Sequence, residues 1–445
     1  MVLTKKHQVI DLKTGQLSGH IFVDPDIYPQ ELKQIFGRSW LMIGHESLVA
    51  KPNDSLHTYI GKDPVILVRD GKGKLHAFLN RCTHRGNRTC RVDDGNEKFF
   101  TCAYHGWIFA NDGKLTHVPG YEEAYYGELH RETHALKKAR IDTYAGIVFA
   151  TWDQHAPSLE EYLGDARWYL DTVFNRLESG TEAYGPIKWM EPVNWKTPVD
   201  NCSDNYHVPL SHGSSAGLET AYLGRPRTTL DEQFKSPSKH LSVNGHAITF
   251  RMSQPGDVRR AHGVTNENLH LFEQYYKETQ ADAERHLGKF RAGHVQLANH
   301  SIYPNGVLGF RLALPRGPML TEFWHFVVVE KAMPRELKKA LANGSVSNNG
   351  PAGLFEQDDL DNWRQVTDGT RTPMGQSLPQ DLSMGLNHSG RHDEYVGEVS
   401  ERYISESNQR KFYQRWEEFM NAEDWGDIAL QPRTASYEGT ATMKG

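Results

Sequence analysis

The sequence predicts an α+β protein of two domains, a small all-β one followed by a larger mixed one. Three observations predict it. From about residue 40 to 155, short β-rich runs alternate with glycine-containing turns. Past 155 the apolar residues recur at helical spacing. Two Cys-His pairs fall at turns of the first part. At 445 residues the chain is long enough for two or three domains and a sizeable core. Charged residues make up 24% and hydrophobic residues 38%, the balance of a soluble globular protein. A net charge of −6 argues against a nucleic-acid partner. No apolar run approaches the length of a membrane span. The first residues, Met1-Val2-Leu3-Thr4-Lys5-Lys6, lack the apolar core of a secretory signal. Four cysteines are too few for a disulfide framework, so a cytoplasmic protein is expected.

The elements follow in order. Leu32, Ile35 and Phe36 are spaced for a short helix leading into the first domain, so residues 1–39 form an N-terminal segment. Pro64-Val65-Ile66-Leu67-Val68-Arg69 is a strand closed by the turn Asp70-Gly71-Lys72-Gly73. Leu75 to Leu79 is the next strand and delivers the chain to Cys82. Phe99-Phe100-Thr101 leads to Cys102, Trp107-Ile108-Phe109 leaves His105, and Gly146 to Thr151 closes a domain spanning 40–155. Leu163, Ala166, Tyr169, Leu170, Val173, Phe174 and Leu177 then form a helical stripe opening a second domain, 156–445. Its readable strands are Ala247 to Arg251 and Phe323 to Val329; helices are expected at 277–288, 335–342, 356–366 and 408–420. In the last, Phe412, Trp416 and Phe419 form one apolar face, read as core packing. Asn343 to Gly350 reads as a polar loop.

Chemistry concentrates in two places. The first is Cys82-Thr83-His84 followed by Cys102-Ala103-Tyr104-His105. Two thiolates and two imidazoles are the ligands of a Rieske [2Fe–2S] cluster, cysteines on one iron and histidines on the other. A structural zinc site uses the same residue types, but zinc fingers usually pair Cys with Cys and His with His. Here each pair is mixed, and Arg85-Gly86 and Gly106-Trp107 follow with glycines that let backbone amides approach sulfur.

The second place is Asp204-Asn205-Tyr206-His207-Val208-Pro209-Leu210-Ser211-His212. Asp204 and His207 share a face if the segment is helical. Pro209 and Gly213 bend the chain, which lets His207 and His212 converge. Two imidazoles with a distant carboxylate make the facial triad of mononuclear non-heme Fe(II), which leaves sites open for oxygen and substrate. Two ordinary histidines near a helix end are the alternative. Spacing does not choose a carboxylate among Asp358, Asp359 and Asp361, and an acidic run near a helix start also serves the helix dipole. No Gly-x-Gly-x-x-Gly follows a strand, so the chain carries no evident nicotinamide or flavin site.

These motifs resemble the large alpha subunit of Rieske non-heme iron oxygenases, the aromatic-ring-hydroxylating dioxygenases to which naphthalene and biphenyl dioxygenases belong. The resemblance covers nearly the whole length. It rests on Cys82 to Gly86 with Cys102 to Trp107, on Asn194-Trp195-Lys196 leading into Asp204 to His212, and on Gly350-Pro351-Ala352-Gly353-Leu354-Phe355-Glu356-Gln357-Asp358-Asp359. Ala103 departs from the Pro or Ser often found there.

The resemblance implies a larger domain of helix-grip type, with a central antiparallel sheet and the Rieske domain placed before or within it. It implies Cys82, His84, Cys102 and His105 as cluster ligands and His207, His212 and Asp359 as iron ligands. Asp204 would bridge His207 to a Rieske histidine of a neighbouring subunit, with His105 favoured over His84; the alternative is a plain surface aspartate. It implies a terminal oxygenase that uses O2 and electrons from NAD(P)H, relayed by a ferredoxin or reductase, to make cis-dihydrodiols. A Rieske monooxygenase or N/O-demethylase on the same scaffold is the alternative, and a bare electron carrier would not need the second constellation. Partners implied are an α3 trimer or, with a small beta subunit, an α3β3 hexamer. Pocket positions are placed at Asn201, Asn205, Val208, Leu210, His294, Leu297, Leu308 and Phe355. The stretch Asp200 to Asp204 is one residue shorter than in the hydrocarbon dioxygenases and lacks their usual Phe. With Asn201 and Asn205 nearby, a polar-substituted aromatic is expected, unless those amides serve only the backbone.

Overall fold

The computed structural model describes residues 7–222, 229–236, 238–252, 262–400 and 402–431. The chain divides into two compact units, Phe36–Leu159 and Met1–Ile35 with Glu160–Gly445.

The smaller unit is built of short antiparallel strands. Leu75–Leu79, Asp63–Arg69, Asp54–Ile60 and Asp94–Asn96 form one sheet in that order. Val65, Ile66, Leu67 and Val68 are all fully buried, so this strand is covered on both faces and reads as a continuous apolar run. The turn after it closes because Asp70 Oδ1 accepts the amides of Lys72 and Lys74 at 2.8 and 2.9 Å. A second sheet joins Phe99–Thr101, Ile108–Ala110 and Leu115–His117. Ile66, Phe78, Phe100 and Phe109 pack around Cys82 and Cys102, so the thiols sit in apolar surroundings.

The larger unit is organised by a nine-stranded antiparallel sheet. Its order is Thr181–Glu191, Leu320–Glu330, Phe310–Gly317, Gly306–Val307, Val295–Ile302, His246–Met252, Ser238–Val243, Glu398–Ser400 and Ser389–Arg391. Thr181–Glu191 is invisible to period-two reading because Gly185-Pro186 interrupts it, and the register shifts between Tyr184 and Ile187.

The C-terminal helix Ser407–Asn421 buries the expected stripe of Phe412, Trp416 and Phe419. It buries polar residues too, among them Asn408 and Gln409. The helix Ile27–Gln34 is tied to it by Glu31, which is fully buried and accepts from Lys196 Nζ at 2.6 Å, Trp195 Nε1 at 2.9 Å and Trp416 Nε1 at 2.8 Å. Three donors on one carboxylate offset its desolvation.

One expectation is corrected. Asn343 to Gly350 is not a loop; the helix Arg335–Asn349 runs through it. Tertiary contact overrides the loop-like composition. Gly344 lies against Gly263, so close that a Cβ would sit 2.2 Å from the Gly263 nitrogen. Asn348 Nδ2 and Ser347 Oγ both turn back to the Gly344 carbonyl, at 2.9 and 3.2 Å. No described helix is long and apolar enough to cross a membrane.

Candidate metal centres

Two matching loops present the first residue set. Cys82 N bonds the Asn87 carbonyl at 2.7 Å and Gly86 N returns to the Cys82 carbonyl at 2.9 Å. The second loop repeats this: Cys102 N bonds the Trp107 carbonyl at 2.8 Å, and Gly106 N the Cys102 carbonyl at 2.9 Å. Each turn closes on a glycine with positive φ, +83° at Gly86 and +70° at Gly106. Neither cysteine forms a disulfide, and both are buried. Burial pushes the Cys82 thiol above its usual value. Burial acts the same way on Cys102, but amides of Tyr104 and His105 outweigh it and bring that thiol below the usual value. The His84 and His105 ring centres lie 4.7 Å apart, and Trp107 stacks on His84 at 4.9 Å. His84 Nδ1 is buried and makes no hydrogen bond, as suits a nitrogen that ligates a metal. Asn87 Nδ2 lies 3.8 Å from Cys102 Sγ.

The second set converges in the larger unit. Ligand atoms of His207, His212 and Asp359 all lie within 4.8 Å of one another. His207 precedes the single helical turn Val208–Ser211 and His212 follows it, so the two rings sit 5.5 Å apart. Asp359 comes from the first turn of the helix Glu356–Thr370. Its Oδ1 is 3.2 Å from His212 Nε2 and 3.8 Å from His207 Nε2, yet accepts no hydrogen bond despite being buried.

Both imidazoles are held from behind. His207 Nδ1 donates to Asp204 Oδ1 at 2.7 Å, and the His207 amide reaches the same oxygen at 3.1 Å. Asp204 and His207 are therefore joined by a tight turn rather than by a shared helix face, as Asp204 lies outside any helix. Burial would lower the pKa of His207, but Asp204 more than offsets it and raises it. His212 Nδ1 lies 3.1 Å from Asp358 Oδ2, which also accepts from Ser215 Oγ at 3.0 Å. Asp358 is thus more than a dipole-complementing residue. Each Nδ1 is occupied by a carboxylate, so each Nε2 faces Asp359, the tautomer a metal needs. The helix carrying Asp358 and Asp359 is anchored at its start by Glu356, paired with Arg311 at 2.8–2.9 Å in a buried bidentate contact. Burial pushes the Glu356 carboxyl up to about 7.

The predicted pocket residues divide. Phe355 packs 5.0 Å from the His212 ring. Asn201 is half-buried, with an Nδ2 that finds no partner. His294, Leu297 and Leu308 lie half-buried on or beside the strand Val295–Ile302, whose Asn299 donates to the Asp204 carbonyl at 2.8 Å. Val208 is half-buried, and Asn205 gives its carbonyl to Tyr403 Oη. Pro209 takes the buried side of the turn, and Leu210 is 58% exposed. Asp358 and Ser215 behind His212 were missed, since nothing in their spacing distinguishes them from helix-start residues.

Residues 39–139 match the Rieske [2Fe-2S] domain, and residues 159–422 match the ring hydroxylating alpha subunit (catalytic domain). The chain belongs to the ring-hydroxylating alpha-subunit family. This alpha subunit is 36% identical to the biphenyl 2,3-dioxygenase subunit alpha of Rhodococcus jostii (strain RHA1), covering 98% of this chain and 95% of that one. It is 31% identical to the large oxygenase component of the naphthalene 1,2-dioxygenase system of Ralstonia sp, covering 94% and 95%. Among solved structures, naphthalene 1,2-dioxygenase with indole in its active site superposes with a TM-score of 0.87 at 29% identity, over 96% of this chain and 97% of that one. The protein is a Rieske non-heme iron dioxygenase, a terminal oxygenase of a family whose multicomponent systems have ferredoxin and reductase partners. Its cofactors are a Rieske [2Fe–2S] cluster and a mononuclear iron. His84 Nδ1 and Asp359 Oδ1, both buried and without a hydrogen bond, fit those groups.

Proposed function

We propose that His207, His212 and Asp359 bind the mononuclear iron, that Cys82, His84, Cys102 and His105 bind the cluster, and that Asp204 links His207 to a cluster histidine of a neighbouring subunit. The observation that carries this reading is Asp359 Oδ1, buried, without a hydrogen bond, and faced by Nε2 of both histidines. Residues 40–155 serve the cluster and 156–445 the iron, and the segment up to Ile35 groups with the latter.

Given O2, two electrons and two protons, bound iron would supply the oxidation that places both oxygen atoms on an aromatic ring as a cis-dihydrodiol. The chain's own residues orient the site. Asp204 and Asp358 fix the two imidazoles. Phe355 packs against the His212 ring. The substrate is an aromatic compound, in keeping with the biphenyl and naphthalene named for the relatives. A polar substituent on that ring would meet the unpaired Asn201 amide. Comparing turnover of biphenyl with that of polar-substituted arenes tests this, and a clear preference for biphenyl refutes it. The enzyme works in the cytoplasm as an α3 trimer or, with a beta subunit, an α3β3 hexamer.

Asp204→Asn tests the bridge. The variant keeps its iron and cluster but loses nearly all turnover. Full activity with intact iron would end the bridging role.

A further inference from the structure

The carboxylate assigned to the bridge is itself held by an element whose sequence advertises only core packing. Asp204 Oδ1 is committed to His207. Asp204 Oδ2 accepts from Gln409 Nε2 at 3.1 Å, and the same amide reaches the Asp200 carbonyl at 3.4 Å. Gln409 lies in the first turn of the helix Ser407–Asn421 and is 3% exposed. Beside it, Asn408 Nδ2 donates to the Ser203 carbonyl at 2.8 Å, and one turn on, Tyr413 Oη donates to Asp200 Oδ2 at 2.8 Å. Three side chains of one helix therefore hold residues 200–204, while Phe412, Trp416 and Phe419 fix that helix in the core.

The chemistry favours an amide at this point. Acids crowd the site: burial pushes Asp200 up to about 7, with Asp204 and Glu406 adding to the rise. A second carboxylate against Asp204 would compete for its charge, whereas a neutral amide donates a hydrogen bond and leaves the charge on Asp204. A carboxylate oxygen has room for two donors, so Oδ2 can hold Gln409 and still accept from another chain. Asp204, His207 and Gln409 line a common cavity of about 590 Å³, which leaves the carboxylate reachable.

We propose that Gln409 is a positioning residue for electron transfer, fixing the second oxygen of Asp204 where a cluster histidine of a neighbouring subunit can bond it. This rests on the bridging role read for Asp204. The step it serves moves one electron, oxidising the cluster and reducing the iron site, and breaks no bond in the chain.

The test uses purified holoenzyme with the cluster reduced by dithionite, then mixed with O2 and biphenyl while cluster re-oxidation is followed by absorbance. Gln409→Leu, with iron and cluster content unchanged, slows re-oxidation roughly ten- to hundredfold, the worth of a hydrogen bond to a charged group. Relative to wild type at the same pH, which removes the titration of Asp200, Gln409→Glu is slow at about pH 8 and recovers towards about pH 6, because only the protonated acid donates to Oδ2. Of the titratable and charged groups at this site, Asp200, Asp204, Tyr206, His207 and Glu406 line the cavity with Gln409, Tyr413 bonds Asp200, and Arg410 acts on Glu406. A merely loosened helix would lose iron or slow equally at every pH. Gln409→Leu within about twofold of wild type, or a flat pH profile for Gln409→Glu, overturns the proposal. Asp204→Asn is run alongside. If it too re-oxidises at the wild-type rate, the bridging reading itself fails; if it alone is slow, only the role of Gln409 fails.

Discussion

Replacing Asp358 by alanine strips the acceptor from His212 Nδ1 without touching a proposed ligand. In the native site Asp358 Oδ2 lies 3.1 Å from that nitrogen and is steadied by Ser215 Oγ at 3.0 Å. Without the acceptor the imidazole can swing away or take the wrong tautomer, and its Nε2 becomes a poorer donor to a metal. Losing such an outer partner costs roughly 10- to 100-fold in metal affinity, or about 1.4–2.8 kcal/mol. The Asp358 side chain is 29% exposed, so solvent screens part of its charge and the lower end of that range is expected. Asp358→Asn keeps an acceptor oxygen and should lose less. The assay is competitive titration of Fe(II) against a chelator, with the Rieske absorbance as an internal check on the other centre. An unchanged iron affinity in Asp358→Ala would refute the argument, because the Asp358 contact would then be incidental.

Three further outcomes follow from buried features. Arg311→Met strands the fully buried Glu356 and should cost about 3–5 kcal/mol in denaturant unfolding, while a double variant with Glu356→Leu should recover much of it; equal losses in both would contradict an uncompensated charge. Burial lowers the pKa of His246 from 6.5 to about 4, with Nε2 facing the Tyr162 carbonyl and Nδ1 the Tyr303 amide. A histidine depressed in the fold stabilises it above the unfolded pKa, so stability is lost as pH falls from 6.5 to about 4, by roughly 3 kcal/mol, and His246→Gln should flatten that limb of a stability-against-pH curve. Gly344→Ala puts a Cβ 2.2 Å from the Gly263 nitrogen and should lower the melting temperature, whereas Gly180→Ala, with open space around it but a φ of +68°, tests backbone strain alone.

Motifs were legible where chemistry fixes residue type and local spacing. Cys82, His84, Cys102 and His105 sit on two short loops, and each loop is specified within a few residues by its own glycine. The pairing of His207 with His212 depends on one turn containing Pro209, again a local matter. Asp359 is different: some 150 residues separate it from His212, and choosing it over Asp358 and Asp361 needed family resemblance. Gln409 and Arg311 were beyond reach, because their roles exist only once distant strands and helices meet. The strand Thr181–Glu191 escaped because Gly185-Pro186 and the shifted register break its alternation. Asn343 to Gly350 misled because its polar composition marks turns in isolation, while contact with Gly263 and hydrogen bonds to the Gly344 carbonyl keep it helical.

Counting iron in Asp359→Ala tests the central claim most directly. Two irons in the cluster and one in the mononuclear site predict about three per chain in the wild type and about two in the variant, with the Rieske spectrum unchanged and product formation lost. Iron that stays at about three per chain, or a Rieske spectrum that disappears with it, would contradict the assignment of Asp359 to a mononuclear site separate from the cluster.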